Sequence, residues 1–166
     1  AGIAAGKADL LIFISHNRID ATTEATDDSS EIFISRLYNT GLHNSSSSML
    51  KKDAVAETAY GVNLGMNLKH VTLGMNWSGS RLSLPLKNAM DGPEEIFDLC
   101  GRRVDILSVY YTASAGRSLL FGEFSSTGKS NFALVQGFTI RASGRLTING
   151  LYRNYSPGYG GLHSRG

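Results

Sequence analysis

The 166-residue chain is long enough for one domain, and its charged content of 18% lies below the ~25% that is typical of soluble domains. A formal net charge of +2 without a Lys/Arg block gives no electrostatic basis for binding nucleic acid, so we predict no nucleic-acid partner. No apolar run approaches the ~18 residues of a membrane helix, and the single cysteine, Cys100, excludes an internal disulfide and a thiolate metal site.

The first residues of the chain predict the end of a strand. Residues 1–5 are small or apolar, Lys7 follows in a turn, and residues 8–19 are predicted to form the first full strand. The residues from Ser156 onward are rich in glycine and predict a loop. Because the chain opens within a strand and closes in a loop, we expect a fragment whose two ends both continue.

A long polar stretch separates the first strand from the second. Residues 20–56 are rich in Thr, Asp and Ser and predict one long loop. Within it, residues 31–38 are interpreted as a small helix, because Phe33 and Leu37 lie four residues apart and would share a helical face. A short strand is the alternative for the same segment.

The next two strands, residues 57–68 and 71–80, alternate between long apolar and small polar side chains. The apolar set is Tyr60, Val62, Leu64, Met66, Leu68, Val71, Leu73, Met75 and Trp77. The opposite set is Gly61, Asn63, Gly65, Asn67, Thr72, Gly74, Asn76 and Ser78. A period of two places one set on each face of a strand. Small polar residues make a poor packed core but a good wall for water, so the pattern predicts a transmembrane hairpin with its apolar face toward lipid.

Four further strands follow a second long loop at residues 84–99. They are predicted at residues 103–114, 117–126, 130–141 and 145–155. Directly opposite residues of an antiparallel hairpin share a face, so a turn at Lys69-His70 places Leu68 opposite Val71. The same rule at the later turns predicts the pairs Tyr111–Leu120, Leu107–Phe124, Phe124–Phe132, Ile140–Leu146 and Phe138–Ile148.

Together these strands predict an all-β fold, an antiparallel transmembrane β-barrel. The chain would supply about seven or eight strands of a larger barrel, each near the ~10 residues that a tilted strand needs to cross a bilayer. Most connections are short at one end and long at the other, which is typical of periplasmic turns and extracellular loops. Tyr60, Trp77 and Tyr152 lie near the outer strand ends and suit an aromatic girdle.

The predicted site residues follow from these two faces. The lipid-facing set is Val62, Leu64, Met66, Leu73, Met75 and Trp77. The lumen-facing polar set is Asn63, Asn67, Asn76, Glu123, Arg141 and Arg153. A charge that faces lipid near the midplane costs ~2–4 kcal/mol, so we expect the charged residues inside, where Glu123 can pair with an arginine. The lumen-facing set is interpreted as a polar wall that stabilises the barrel rather than as a selectivity filter.

No residue pattern predicts a catalytic site, a cofactor or a metal. Residues 122–130 end like a phosphate-binding loop, but five residues separate the glycines where that loop has four, and a strand follows instead of a helix. The four histidines share no metal-like spacing, and the pairs Asp27-Asp28 and Glu94-Glu95 are interpreted as solvated loop acids. We therefore predict that the protein is not an enzyme.

Several segments resemble one family of large outer-membrane barrels of the Bacteroidota type, which carry a helix-hairpin-helix region ahead of the barrel. The similar segments are Phe121–Glu123 followed by Ile148–Tyr159, and also Ser15–Asp20 and Thr40–His43. The most specific run is Tyr152–Pro157. The resemblance implies the barrel portion of a much longer protein. It implies no catalytic residues and no role in binding DNA, because the helix-hairpin-helix part is absent from this chain.

The sequence thus predicts an integral component of the bacterial outer membrane with porin-like solute passage, or a structural subunit of an envelope complex. Its expected partners are outer-membrane lipid, the remaining strands of the same barrel or another chain, and other envelope proteins. The alternative is a soluble ligand-binding β-barrel, in which the apolar face would point inward around a small ligand. A soluble exterior would carry more Lys and Glu than the small polar face of residues 57–80 does.

Overall fold

The computed structural model describes residues 1–25, 31–38, 45–87, 100–128 and 131–160. Over these residues the chain is all-β, as the sequence predicts, with nine strands and one helix of four residues. The strands are β1 (Gly2–Ala5), β2 (Ala8–Ala25), β3 (Ile32–Tyr38), β4 (Val55–Asn67), β5 (Val71–Leu86), β6 (Gly101–Ala115), β7 (Ser118–Gly128), β8 (Asn131–Arg141) and β9 (Thr147–Tyr155). The helix, α1, spans Ser46–Met49.

The nine strands belong to one sheet in which neighbours largely follow chain order. β1 lies beside β2, both β3 and β4 pair with β2 and with β5, and β5 to β9 follow one another in sequence. The β1–β2, β2–β3, β6–β7, β7–β8 and β8–β9 ladders are antiparallel, whereas β3 meets β5 in parallel at Ile34 and Leu86. This up-and-down order is the strand connectivity of barrel-like sheets.

The described chain forms two compact units, each made from several segments. The first unit comprises Ala1–Phe13, Gly61–Ser78 and Asp105–Tyr159. The second comprises the described parts of Ile14–Tyr60, Gly79–Val104 and Gly160–Gly166. All twelve predicted site residues belong to the first unit.

Strand β3 corrects the prediction of a helix at residues 31–38. Side chains four residues apart share a face in a regular strand as well as in a helix, so the spacing of Phe33 and Leu37 did not distinguish the two. In β3 a bulge at Ser35 places them on opposite faces, since Phe33 lies opposite Glu24 and Leu37 lies opposite Ala21. The strand pairs with β2, with Ile34 opposite Thr23, and a short helix occurs instead at α1. β2 and β5 also continue to Ala25 and Leu86, into residues predicted as loops. Residues 26–30, 39–44 and 88–99 of those loops lie outside the described residues.

The predicted registers of the last three hairpins are each wrong by two residues. Tyr111 lies opposite Gly122 rather than Leu120, and Phe124 lies opposite Leu134 rather than Phe132. The other observed pairs are Leu107–Ser126, Ile140–Ile148 and Phe138–Gly150. A shift of two keeps every side chain on its face, whereas a shift of one would reverse the faces. The β4–β5 register agrees with the prediction, since the Leu68 N–H donates to the Val71 carbonyl at 2.8 Å.

The first of these errors comes from the placement of a turn. The prediction placed Ala115 and Gly116 in the β6–β7 turn, but Ala115 still pairs with Ser118, so the turn consists of Gly116 and Arg117. Gly116 has φ +58°, which other residues rarely adopt, and it therefore takes the first turn position. In the β8–β9 hairpin, Arg141 pairs with Thr147, so the connection has more residues than predicted.

The second unit has a conventional apolar core. Its buried residues are Ala21, Ile34, Val55, Leu82 and Leu86, with Ile19, Leu37 and Leu84 packed against them. The Ile34 side chain is fully buried. β3 thus completes a core between strands β2, β4 and β5, which explains why the segment is a strand.

Candidate functional site

The first candidate surface is the apolar face of the first unit, and it begins on β4 and β5. Leu64 and Met66 are each 48% exposed, and Leu73 and Met75 are each 46% exposed. Trp77 is also exposed, and Val62 is half-buried. The predicted lipid-facing residues therefore lie on one face of the hairpin with their side chains accessible from outside the unit. Whether lipid covers them remains a prediction.

The same face continues across β6 to β9. A Cβ at Gly74 would meet the Tyr110 ring, so Tyr110 lies on the same face as Gly74. The neighbouring Val109 therefore lies on the other face, together with Leu73. Val109 lies opposite Phe124, and the Phe124 and Phe132 rings stack with centroids 6.1 Å apart. The exposed residues of the apolar face on these strands are Leu107, Val109, Leu120, Phe124, Phe138, Ile140, Ile148 and Tyr152. The exposed apolar face therefore spans six consecutive strands.

The opposite face carries the predicted lumen-facing residues, joined by hydrogen bonds. The Asn63 amide donates to the Tyr110 hydroxyl at 3.3 Å. The Asn67 side-chain NH2 group donates to the Asp9 carboxylate at 2.5 Å, and the Asn67 side-chain oxygen Oδ1 accepts from the Thr72 hydroxyl at 3.1 Å. Sequence reasoning missed Asp9 and Tyr110 as parts of this face, although the period of two places both on it.

Glu123, Arg141 and Arg153 lie on this same polar face. Glu123 lies opposite Tyr110 on β6 and opposite Val135 on β8, and Val135 lies opposite Arg153 on β9. Directly opposite residues share a face, so Glu123 and Arg153 lie on the face of Tyr110. Arg141 is an even number of residues from Val135 along β8 and therefore faces the same way. Asn76 follows Gly74 by two residues and completes the set. All six predicted polar residues are thus on one face, opposite the six predicted apolar ones.

The expected ion pair of Glu123 is wrong for the described residues. Its carboxylate instead accepts a hydrogen bond from the Ser125 hydroxyl at 3.1 Å. Val135 lies between Glu123 and Arg153 in the sheet, and the intervening strand holds the two charged residues apart. The polar face also carries exposed Leu119 and Leu151, so it is less uniformly polar on β7 to β9 than on β4 and β5.

Aromatic rings lie over glycines on both faces of the first unit. On the polar face Phe13 covers Gly61, Tyr110 covers Gly74 and Phe121 covers Gly137. On the apolar face, Tyr111 covers Gly122 and Phe138 covers Gly150. A Cβ at any of these glycines would lie 2.1–2.6 Å from a ring atom. The glycines are therefore sites where a neighbouring ring packs on bare backbone, which fixes the strand register.

The described residues contain no group of three His, Cys, Asp or Glu side chains that could hold a metal. His16 contacts the Thr58 hydroxyl at 2.9 Å, His70 lies in the β4–β5 turn, and Cys100 is a free, exposed cysteine. The other two histidines and the acidic pairs singled out from the sequence lie outside the described residues.

Comparison with known protein families, with curated proteins and with solved structures finds no match. The resemblance to the Bacteroidota-type barrels therefore stays a prediction. Over the described residues, no helix has the length and apolar character to cross a membrane.

Proposed function

We propose that the chain is part of a β-barrel integral to the bacterial outer membrane, where it serves solute passage or forms a structural subunit of an envelope complex. The observation that carries this proposal is the arrangement of side-chain sizes across the sheet of the first unit. Large apolar side chains such as Leu64 and Met75 are exposed on one face, whereas glycines and hydrogen-bonded polar residues such as Asn63 occupy the other. Outer-membrane strands alternate in this sense.

The exposed face favours hydrocarbon over water on energetic grounds. Full burial of one Leu- or Phe-sized side chain contributes ~1.5–3 kcal/mol, and this face carries such side chains on six consecutive strands. Soluble monomers rarely leave contiguous apolar patches of this kind uncovered. Lipid covers every strand of such a face alike, which matches its even distribution.

The polar face suits a watery interior. Its amides, hydroxyls and carboxylates bond to one another, as in the Asp9–Asn67–Thr72 chain and in the bond from Thr139 to Asn149 at 2.8 Å. The asparagines and threonines of this face are neutral, and the carboxylates of Asp9 and Glu123 each accept a hydrogen bond from a neighbouring neutral side chain. This favours a polar wall over an ion-selective filter. A soluble ligand-binding barrel would instead need Leu64, Met66, Leu73 and Met75 enclosed, and their exposure disfavours that alternative.

A pair of neighbouring arginine substitutions tests the face assignment. Leu64→Arg places a charge in the hydrocarbon region, where it costs ~2–4 kcal/mol near the midplane, whereas Asn63→Arg places the same charge on the polar face. We expect the full-length protein with Leu64→Arg to lose most of its heat-modifiable, folded band and its outer-membrane fraction. Asn63→Arg is the matched control and should retain both. Equal losses in the two variants would contradict the proposal.

Extraction of the full-length protein tests the location itself. We expect it to stay with the membrane through salt and carbonate washes and to require detergent for release. Recovery in buffer after lysis, without detergent, would rule out an integral membrane protein.

A further inference from the structure

The short turns of the first unit lie side by side along one rim. They are Gly6-Lys7, residues 68–70, Gly116-Arg117 and residues 142–146. Backbone hydrogen bonds connect them: Asn67 N–H donates to the Lys7 carbonyl at 2.7 Å, Ser114 N–H to the His70 carbonyl at 2.8 Å, and Arg141 N–H to the Arg117 carbonyl at 3.0 Å. The four turns therefore form one continuous rim.

Every one of these turns carries or adjoins a basic residue. The set is Lys7, Lys69, His70, Arg117 and Arg145, and we call it the basic rim. All five side chains are exposed, and within the described residues none of them has a hydrogen bond or an ion pair through its side chain. Only three of the chain's 14 acidic residues, Asp9, Asp105 and Glu123, fall within the first unit. Asp9 is the nearest along the chain, and its carboxylate is already bonded to Asn67.

The backbone of the turns does not require these basic side chains. Gly6 and Gly116 have φ of +64° and +58°, so glycine is needed at the first position of these two turns. The second position accepts many residues, among which Asn, Ser and Thr are common. Yet Lys7 and Arg117 occupy it, and Gly144-Arg145 repeats the same dipeptide in the longer turn. The repeated basic residue therefore points to something outside the turn.

The basic rim borders the exposed apolar face. Leu68, Leu146, Ile148 and Ile140 lie on or next to the same turns, and all four side chains are exposed. Cations at the edge of an apolar band occupy the position of lipid headgroups if the band lies in hydrocarbon. The basic residues recur at every second strand, roughly 10 Å apart for strands spaced ~4.8 Å, rather than clustering at one place.

We propose that the basic rim binds the phosphate groups of anionic phospholipids in the leaflet that meets the short turns. The inference rests on the proposed function, because it requires the apolar face to lie in a bilayer. Juxtamembrane Lys and Arg bind anionic lipid surfaces mainly through charge, so each contact is weak and the rim acts through their number. An acidic protein partner fits less well, because its surface would match one cluster rather than cations on every turn.

The test uses the full-length protein folded in detergent and mixed with equal amounts of phosphatidylglycerol and phosphatidylcholine, with retained lipids counted by native mass spectrometry. The triple variant Lys69→Gln, Arg117→Gln and Arg145→Gln removes three charges from the rim. The matched control Lys52→Gln, Arg81→Gln and Arg102→Gln removes three exposed charges from the second unit. We expect the wild type and the control to enrich phosphatidylglycerol, and the triple variant to lose about fivefold in affinity for each removed contact.

Salt dependence of the wild-type protein provides a measurement that needs no variant to fold. The preference for phosphatidylglycerol should fall steeply as sodium chloride is raised, because exposed charges are screened over ~10 Å at 0.1 M and ~3 Å at 1 M. A preference that is independent of salt would overturn the inference.

Other outcomes overturn the inference in different ways. Equal lipid retention by all three proteins, each with a heat-modifiable folded band, would remove the basic rim as a lipid site and leave the membrane proposal intact. Release of phosphatidylglycerol by inorganic phosphate, but not by chloride at equal ionic strength, would identify a free-phosphate site instead. Loss of a co-purifying envelope protein from the triple variant, with lipid retention unchanged, would assign the rim to an acidic protein. A chain that is soluble without detergent would remove both proposals.

Discussion

The two units of this chain place large apolar side chains in opposite ways. In the second unit, Ile34, Val55 and Leu82 are buried in a core, as in any water-soluble domain. In the first unit Leu64 and Phe124 are exposed, and the least accessible positions are small residues such as Gly61, Gly65, Ser108 and Ala133. Both units use strands with the same period of two. Alternation alone therefore does not locate a core, whereas the size of the residues on the two faces does.

The comparison also separates two sources of stability. The second unit stabilises itself by burying Ile34 and its neighbours, whatever surrounds the protein. The apolar face of the first unit has no such internal partner among the described residues, so its contribution depends on what covers it. Substitutions in the two units should therefore respond differently to the medium.

The largest expected effect is on the core of the second unit. Ile34→Ala leaves a cavity at a fully buried position, and such changes lower the free energy of unfolding by ~2–5 kcal/mol. Ile14→Ala removes the same atoms from a side chain that is 77% exposed, and we expect a much smaller loss. Urea unfolding of the full-length protein in micelles measures both. Similar losses from the two substitutions would show that the second unit has no core of its own.

A smaller effect is expected where a ring takes the place of a core in the first unit. A Cβ at Gly150 would lie 2.3 Å from Phe138 Cε1, whereas a Cβ at Gly144 meets nothing within 4 Å. Gly150→Ala must displace the ring, and such overpacking costs about 1 kcal/mol or more, while Gly144→Ala should be nearly neutral.

A second substitution, Phe138→Leu, tests whether contact with the ring causes the loss of stability in Gly150→Ala. If contact with the ring is responsible, Phe138→Leu should recover part of the stability lost in Gly150→Ala, as read from the same urea midpoints. Absence of any coupling between Gly150 and Phe138 would contradict ring packing as the device that holds the register.

Most of the first unit was predictable from the sequence because local alternation sets the faces. Leu64 and Asn63 are on the expected opposite sides, and a register error of two residues between β6 and β7 leaves the faces unchanged. The exact register was not predictable because it depends on whether Gly116 takes the first or the second position of its turn. A glycine suits several turn positions, so the sequence alone leaves this open.

The core of the second unit was missed for a different reason. It forms from segments distant in sequence, with Ile34 opposite Thr23 on one strand and Leu86 on another. The spacing of Phe33 and Leu37 fits a helix and a strand equally, and no local pattern reveals which strand edges are free to accept β3. The hydrogen-bond partners Asp9 and Tyr110 were missed likewise, since only the paired strands bring them to Asn67 and Asn63.

The smallest expected effect concerns a tyrosine of the second unit, outside the exposed apolar face. Hydrogen bonds from Thr22 at 3.1 Å and from Lys51 at 3.2 Å to the Tyr38 hydroxyl lower the pKa of Tyr38 below its ordinary value of 10.0. Thr22→Val and Lys51→Met should each raise that pKa toward its ordinary value, Thr22→Val by removing one hydrogen bond and Lys51→Met by removing a hydrogen bond and a positive charge. Ultraviolet titration of tyrosinate measures it, and subtraction of the Tyr38→Phe signal isolates this residue among the seven tyrosines.

The sign of the linked stability follows from the direction of that shift. Because the folded pKa of Tyr38 is lower than the unfolded one, the stabilisation is fully present only above the unfolded value near 10 and is lost as the pH falls through the folded value. At neutral pH the titration of Tyr38 therefore contributes nothing to stability, and any loss from Thr22→Val there reflects the neutral hydrogen bond alone. An unchanged titration curve in both variants would show that neither bond holds the hydroxyl in the folded protein.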